Sequence, residues 1–164
     1  MSYDSFFTTI TWLGSLYFIL PSSAALCLLL LRFDRTQEVL MLALSLTTTV
    51  LTVHAIKLII RRPRPDSPDI LVQMPADWSF PSAHTAQATA FFLVVTLIAL
   101  RSLPFPAACI TAAASALVIV GVGWSRVYLQ VHYLSDVLAG FLLAVLLVAA
   151  IHFLLPHLHL PCGK

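Results

Sequence analysis

The sequence predicts an all-α, polytopic membrane protein: a helical bundle with about five transmembrane helices, in one domain over residues 1–164. Three observations carry this. Hydrophobic residues make up 60% of the chain and charged residues 10%, against about 25% charged in a soluble domain. The apolar residues run in stretches close to the ~20 that cross a bilayer. Proline-rich or charged breaks separate the stretches, with no internal repeat and no low-complexity segment.

The first span is expected from Ile10 to Leu31, with Pro21 as a kink that lipid-embedded helices tolerate. Asp4 precedes it and no Lys or Arg does, so it lacks the basic flank of a signal peptide and should remain as a helix. The second runs from Val39 to Ile60, with Lys57 in its last turn. From Arg61 to Pro81 the chain is polar, and Pro63, Pro65, Pro68, Pro75 and Pro81 prevent a long helix. The third span runs from Ser82 to Leu100. Pro104 and Pro106 then mark a turn, and Pro106 suits a first helical turn. The fourth span ends at Trp124, and the fifth runs from His132 to Leu155.

Composition excludes several classes. A net charge of +2, with the basic residues at segment ends, offers no nucleic-acid surface. Cys27, Cys109 and Cys162 show no paired spacing, so neither a disulfide framework nor a zinc site is read. His152, His157, His159 and Cys162 are irregularly spaced and read as an interfacial tail rather than a metal site. Trp12, Trp78 and Trp124 fit membrane interfaces.

Three polar clusters stand at the ends of the apolar segments. Lys57 and Arg64 are seven residues apart, about two helical turns, which would bring both cations to one side. A lysine gives a phosphate a point charge and an arginine gives it a planar fork. The alternative is a basic cluster snorkelling to lipid head groups, and Arg61 and Arg62 are read as attracting an anionic head group or as solvated. Pro81-Ser82-Ala83-His84 opens the third span. Ser82 can cap that helix, its start is an anion site, and His84 can give a proton to a leaving oxygen. The alternative is an ordinary cap with an interfacial histidine. Arg126 is followed by His132 and Asp136, four residues apart and neighbours on a helix face. Asp136 can hold one ring nitrogen and leave the other to attack phosphorus. The alternative is a structural pair at a helix start, where Asp136 is favourable without catalysis. His54, one turn before Lys57, is expected to make an interhelical hydrogen bond.

Connectivity tests the three clusters against one another. Two crossings separate the 61–81 loop from the 125–135 loop, so both lie on one membrane face, and five crossings put the termini on opposite faces. The motif face carries Lys57, Arg61, Arg62, Arg64 and Arg126; the other carries Arg32, Arg35, Arg101 and Lys164. Setting aside the proposed site cations Lys57, Arg64 and Arg126 leaves two against four, which places the site outside the cytoplasm.

Together the clusters resemble the type 2 phosphatidic acid phosphatase (PAP2) family. That family's pattern is K-x6-R-P, then P-S-G-H, then S-R-x5-H-x3-D. Here it reads Lys57 to Arg64-Pro65, Pro81 to His84, and Ser125-Arg126 to His132 to Asp136, with every spacing kept. The likeness covers about residues 54 to 140. Ala83 replaces the usual glycine, which keeps the N–H and adds a methyl that limits close approach. The family usually has six membrane helices; this chain has room for five, which would put its N-terminus on the active-site face.

The resemblance implies roles. His132 would be the nucleophile that forms a phosphohistidine, Asp136 would orient it, and His84 would protonate the leaving group. Lys57, Arg64, Ser82, Ala83 and Arg126 would hold the phosphoryl oxygens. No metal and no other cofactor is expected. The substrate would be a lipid phosphate or diphosphate in a bacterial plasma membrane: phosphatidylglycerol phosphate, undecaprenyl diphosphate or a related polyprenyl phosphate. The alternatives are a phosphatase for a soluble ester and a non-catalytic lipid-binding or transport protein. A binding protein needs the cations but no nucleophile.

Overall fold

The computed structural model describes residues 3–66, 72 and 74–157. Pro68, His159, Cys162 and Lys164 lie outside the described residues. Among the described residues six α-helices follow in order: α1 Tyr3–Ile10, α2 Leu16–Arg32, α3 Thr36–Ile60, α4 Ala83–Ser102, α5 Phe105–Tyr128 and α6 Leu134–Leu154. A 3₁₀ turn, Thr11–Gly14, joins α1 to α2, and a second, Leu155–His157, follows α6. Helices α3 to α6 are long and apolar enough to cross a membrane; the bent pair Tyr3–Gly14 with Leu16–Arg32 makes a fifth if it is one span.

The first span differs from the expected continuous helix. Its two parts meet at 47°. The break lies at Ser15, not at Pro21, which stands inside α2. Ser15 takes an extended conformation and its hydroxyl accepts the Tyr17 N–H at 3.2 Å, so α2 begins with its own cap. Helix α1 folds back against the end of α5, where Phe7 stacks on Tyr128 and the Tyr128 hydroxyl donates to Asp4 at 2.8 Å.

Helix α4 is the axis of the bundle, packed by α3, α5 and α6. Small residues explain its central place. Ala86, Ala88 and Ala90 are fully buried, and Thr85 and Thr89 nearly so or fully, which lets neighbouring backbones approach. The apolar core runs between α4 and its neighbours through Ile19, Met41, Leu42, Val53, Val94, Ala144 and Val148. Gly140 of α6 meets the start of α4: a Cβ there would lie 2.6 Å from the Ser82 carbonyl oxygen. That contact sets the two motif-bearing helix starts side by side.

Two expected boundaries move. Helix α5 continues past Trp124 to Tyr128, so Arg126 stands on its last turn and not in a loop. Helix α6 starts at Leu134, so His132 precedes the helix.

Candidate active site

The three sequence clusters converge at one end of the bundle. They line a cavity of about 540 Å³ that Lys57, Arg64, Ala83, His84, Arg126 and His132 share.

Lys57 and Arg64 meet there, but not by helical periodicity. Helix α3 ends as Arg61 takes a left-handed conformation (φ 49°) and its N–H closes on the Lys57 carbonyl at 3.0 Å. Arg64 therefore lies in the loop. Both cations reach Asp77 of the same loop. Lys57 Nζ is 3.0 Å from Asp77 Oδ2, and Arg64 Nη2 pairs with Oδ1. Lys57 also donates to the Trp78 carbonyl. Arg64 Nε donates to the Asp77 carbonyl at 2.8 Å. Arg64 Nη1 donates to the Val131 carbonyl at 2.7 Å and lies 3.2 Å from His132 Nε2. Burial alone would raise the Asp77 carboxyl; the bonds from Lys57 and Arg64 outweigh it and hold the group below the usual carboxylate value.

Ser82 is the N-cap of α4 and is fully buried. Its Oγ accepts the Thr85 N–H at 3.5 Å and the Thr85 hydroxyl at 3.0 Å. Its N–H donates to the Asp136 carbonyl at 3.0 Å. Ser82 thus joins α4 to α6 and does not line the cavity. Ala83 and His84 do line it, and first-turn N–H groups have no acceptor within their own helix. The 3₁₀ turn presses on His84 from behind, since a Cβ on Gly14 would lie 2.7 Å from the His84 carbonyl oxygen.

Arg126 is almost fully buried. Its Nη1 donates to Thr11 Oγ1 at 2.8 Å. Its Nε is buried with no hydrogen-bond partner among the described residues.

The His132–Asp136 pair forms across a helix cap and not along a helix face. Asp136 stands on the first turn of α6, and its Oδ2 accepts the Tyr133 N–H at 3.0 Å. The same oxygen accepts from the Ser79 hydroxyl and lies 3.4 Å from His132 Nδ1. Arg62 donates to Oδ1 at 2.7 Å. Asp136 thus caps the start of α6 and holds the His132 ring at the same time, a geometry compatible with both readings open in the sequence. His132 is pushed down from 6.5 to about 4, first by burial and then by Arg126, Arg64 and Lys57, against the opposing bond to Asp136. Its imidazole is neutral at pH 7. An Nδ1–H held by Asp136 leaves the Nε2 lone pair toward Arg64 and the cavity.

Sequence reasoning missed Thr11, Asp77 and Ser79, and it read Arg62 as attracting a head group or as solvated, whereas Arg62 pairs with Asp136. No spacing rule flags these partners; the one signal for Asp77 and Ser79 is that they lie in the proline-rich loop between two motifs. It also misplaced the His54 bond, which runs from Nδ1 to Val50 of its own helix at 2.9 Å. His54 still lines the cavity. Among the described residues, no group of three or more His, Cys, Asp or Glu is placed to hold a metal ion.

The PAP2 superfamily profile matches residues 38–158, across all three clusters. The chain belongs to the PAP2 superfamily. It is 33% identical over 142 residues to phosphatidylglycerophosphatase B of Bacillus subtilis, which covers 85% of this chain and 69% of that protein. Over 87 residues it is 39% identical to decaprenylphosphoryl-5-phosphoribose phosphatase of Mycolicibacterium smegmatis, covering 52% of this chain and 42% of the other. The fold matches the crystal structure of a transmembrane PAP2-type phosphatidylglycerolphosphate phosphatase from Bacillus subtilis, with TM-score 0.86, 31% identity, and coverage of 94% and 77%. It also matches LpxE of Aquifex aeolicus, with TM-score 0.73, 27% identity, and coverage of 92% and 85%. With its four to five span-length helices, the chain is an integral membrane protein.

Proposed function

We propose that this membrane phosphatase removes a terminal phosphate from a lipid through a phosphohistidine on His132. One observation carries the reading. A neutral, buried imidazole has its Nδ1 on a carboxylate and its Nε2 in a cation-lined cavity with a second histidine. Such a cavity suits phosphoryl transfer, in which catalysis is positioning plus charge stabilisation.

In the first step His132 Nε2 bonds to phosphorus as the bond to the leaving oxygen breaks. His84, as the imidazolium that the bound phosphate's negative charge favours, gives that oxygen its proton and is left neutral. Arg126 Nε, Lys57, Arg64 and the N–H groups of Ala83 and His84 take the phosphoryl oxygens. Ser82, fully buried behind the cavity wall, fixes the start of α4 that presents the Ala83 and His84 N–H groups. In the second step water attacks phosphorus, its proton passes to His84, and His132 leaves neutral.

The substrate class is a lipid with a terminal phosphate or diphosphate, its tail in the bilayer. The relative named for phosphatidylglycerophosphate makes that lipid the first to test, and the Mycolicibacterium smegmatis relative makes decaprenylphosphoryl-5-phosphoribose, a polyprenyl lipid with a phosphorylated sugar, the second. We place the protein in a bacterial plasma membrane with the site outside the cytoplasm, on the two-against-four cation count.

The experiment is phosphate release by purified protein from a panel of lipid and soluble phosphates, in detergent with chelator. Lipid phosphates should turn over and be inhibited by vanadate, and His132→Ala should be inactive while still folding and inserting. Release near the wild-type rate by His132→Ala would overturn the nucleophile. A preference for soluble esters, or a chelator-sensitive rate restored by Mg²⁺ or Zn²⁺, would overturn the substrate class or the mechanism.

A further inference from the structure

Asp77 presents a carboxylate where the site should receive a phosphate. Its two oxygens are divided between Lys57 Nζ and Arg64 Nη2. The cations are buried, with side chains 4% and 8% exposed, whereas the Asp77 side chain is 50% exposed. The carboxylate therefore lies on the solvent side and covers both cations. Other donors of Lys57 and Arg64 go to carbonyls of Trp78, Asp77 and Val131 and to His132. A phosphoryl oxygen arriving from the solvent side meets this carboxylate first, and it takes the donors that Asp77 holds only as Asp77 releases them.

Carboxylates and phosphates compete for the same lysine and arginine donors, because both offer paired anionic oxygens to a fork or point charge. A tethered carboxylate competes at an effective concentration on the order of millimolar or above. What can displace it is extra charge. A phosphate monoester, like the terminal phosphate of a diphosphate, carries about −1.5 to −2 at pH 7. A phosphodiester carries one negative charge, no more than the carboxylate it must displace. Bilayer lipids are mostly phosphodiesters, so a phosphatase in their midst needs a device against them.

We propose that Asp77 is a specificity-determining residue: it fills the phosphoryl subsite on Lys57 and Arg64, admits dianionic terminal phosphates, and turns away monoanionic phosphodiester lipids. The proposal rests on the reading of this cavity as the phosphatase site. The exchange needs only rotation of the Asp77 side chain away from the cations, and no covalent step.

The test compares wild type with Asp77→Asn, using phosphatidic acid as the monoester substrate in detergent micelles and phosphatidylglycerol as a competing phosphodiester. The isosteric amide keeps the volume of a half-exposed side chain, and Asp77→Ser serves if the amide does not fold. The inhibition constant of phosphatidylglycerol should fall roughly tenfold, the size of two partly exposed ion pairs, and that of inorganic phosphate should fall as well. KM for phosphatidic acid should fall by a similar factor, because both lipids displace the same carboxylate; in wild type only the dianion binds strongly enough to pass that threshold. An unchanged phosphatidylglycerol constant, or a rise in both constants with a loss of kcat, would overturn the proposal and make Asp77 only a support for Arg64. Absence of turnover in wild type would count against the phosphatase reading instead. Direct binding of the two lipids to wild type and Asp77→Asn would then decide the Asp77 proposal by the same fold-changes.

Discussion

Arg62 donates to one carboxylate oxygen of Asp136 across 2.7 Å, from a position 74 residues earlier in the chain. The other oxygen serves His132, Ser79 and the Tyr133 N–H. Arg62 also lies over the Tyr133 ring, 4.1 Å from its centre. A cation outside the cavity thus secures the carboxylate beside His132, the proposed nucleophile.

Arg62→Gln should therefore lower kcat by about tenfold with little change in KM, because the residue does not line the cavity. It should also destabilise the fold by about 1–3 kcal/mol, since a buried carboxylate loses a charged partner. Steady-state kinetics and thermal unfolding in detergent check both. A large rise in KM at constant kcat would instead assign Arg62 to substrate binding.

The placement of Arg62 shows what the sequence could and could not reveal. Span number and motif face were legible, because apolar length and connectivity depend on local composition. Lys57, Arg64, His84, Arg126 and His132 were legible as a set, because their spacings are fixed by two helix starts and two helix ends. The partners that hold them were not. Asp77 and Ser79 act through a loop whose path depends on the left-handed turn at Arg61, and a non-glycine residue gives no local sign of that conformation. The break at Ser15 was hidden because an apolar run reads as one helix, and only the capping hydroxyl distinguishes its two parts.

His132 should make folding sensitive to acid. Its folded value, about 4, is below the ordinary 6.5. Between those values the unfolded chain binds a proton that the folded site excludes, so stability rises with pH through that window and falls on acidification. The unfolding temperature should drop more steeply from pH 6.5 toward pH 4 in wild type than in His132→Gln. Parallel slopes in the two proteins would show that His132 keeps an ordinary affinity for protons.

Gly140→Ala pits two effects against each other. Alanine favours a helix interior by about 1 kcal/mol over glycine. Its Cβ, however, would lie 2.6 Å from the Ser82 carbonyl oxygen, a backbone atom that cannot rotate away. Overpacking costs about 1–3 kcal/mol, so the clash should win. The variant should unfold at lower temperature and lose activity as the starts of α4 and α6 separate. A variant more stable than wild type and equally active would show that these helix starts tolerate separation.

The orientation proposal has a direct readout. Asp66 is exposed in the loop after α3. Asp66→Cys, in a background without Cys27, Cys109 and Cys162, should react with an impermeant thiol reagent in intact cells. Labelling only after lysis would place the site on the cytoplasmic face.

His84→Ala separates acid catalysis from binding. His84 lines the cavity at the start of α4, its backbone held by the turn at Gly14. In the proposed site Lys57, Arg64 and Arg126 meet the phosphate's charge, so binding should survive. General acid catalysis typically contributes about 10²–10⁴-fold, and kcat should fall by that order with a smaller change in KM. The loss should depend on the leaving group. An aryl phosphate departs without much help from a proton, whereas an alkyl lipid phosphate needs it. Breakdown of the phosphohistidine will also slow, because His84 takes the proton of the attacking water. The comparison therefore belongs in the pre-steady-state burst, which reports the first step alone. A smaller burst-rate loss for the aryl ester is the expected result. Equal losses for the two substrates would mean that His84 holds the phosphate or the fold and donates no proton.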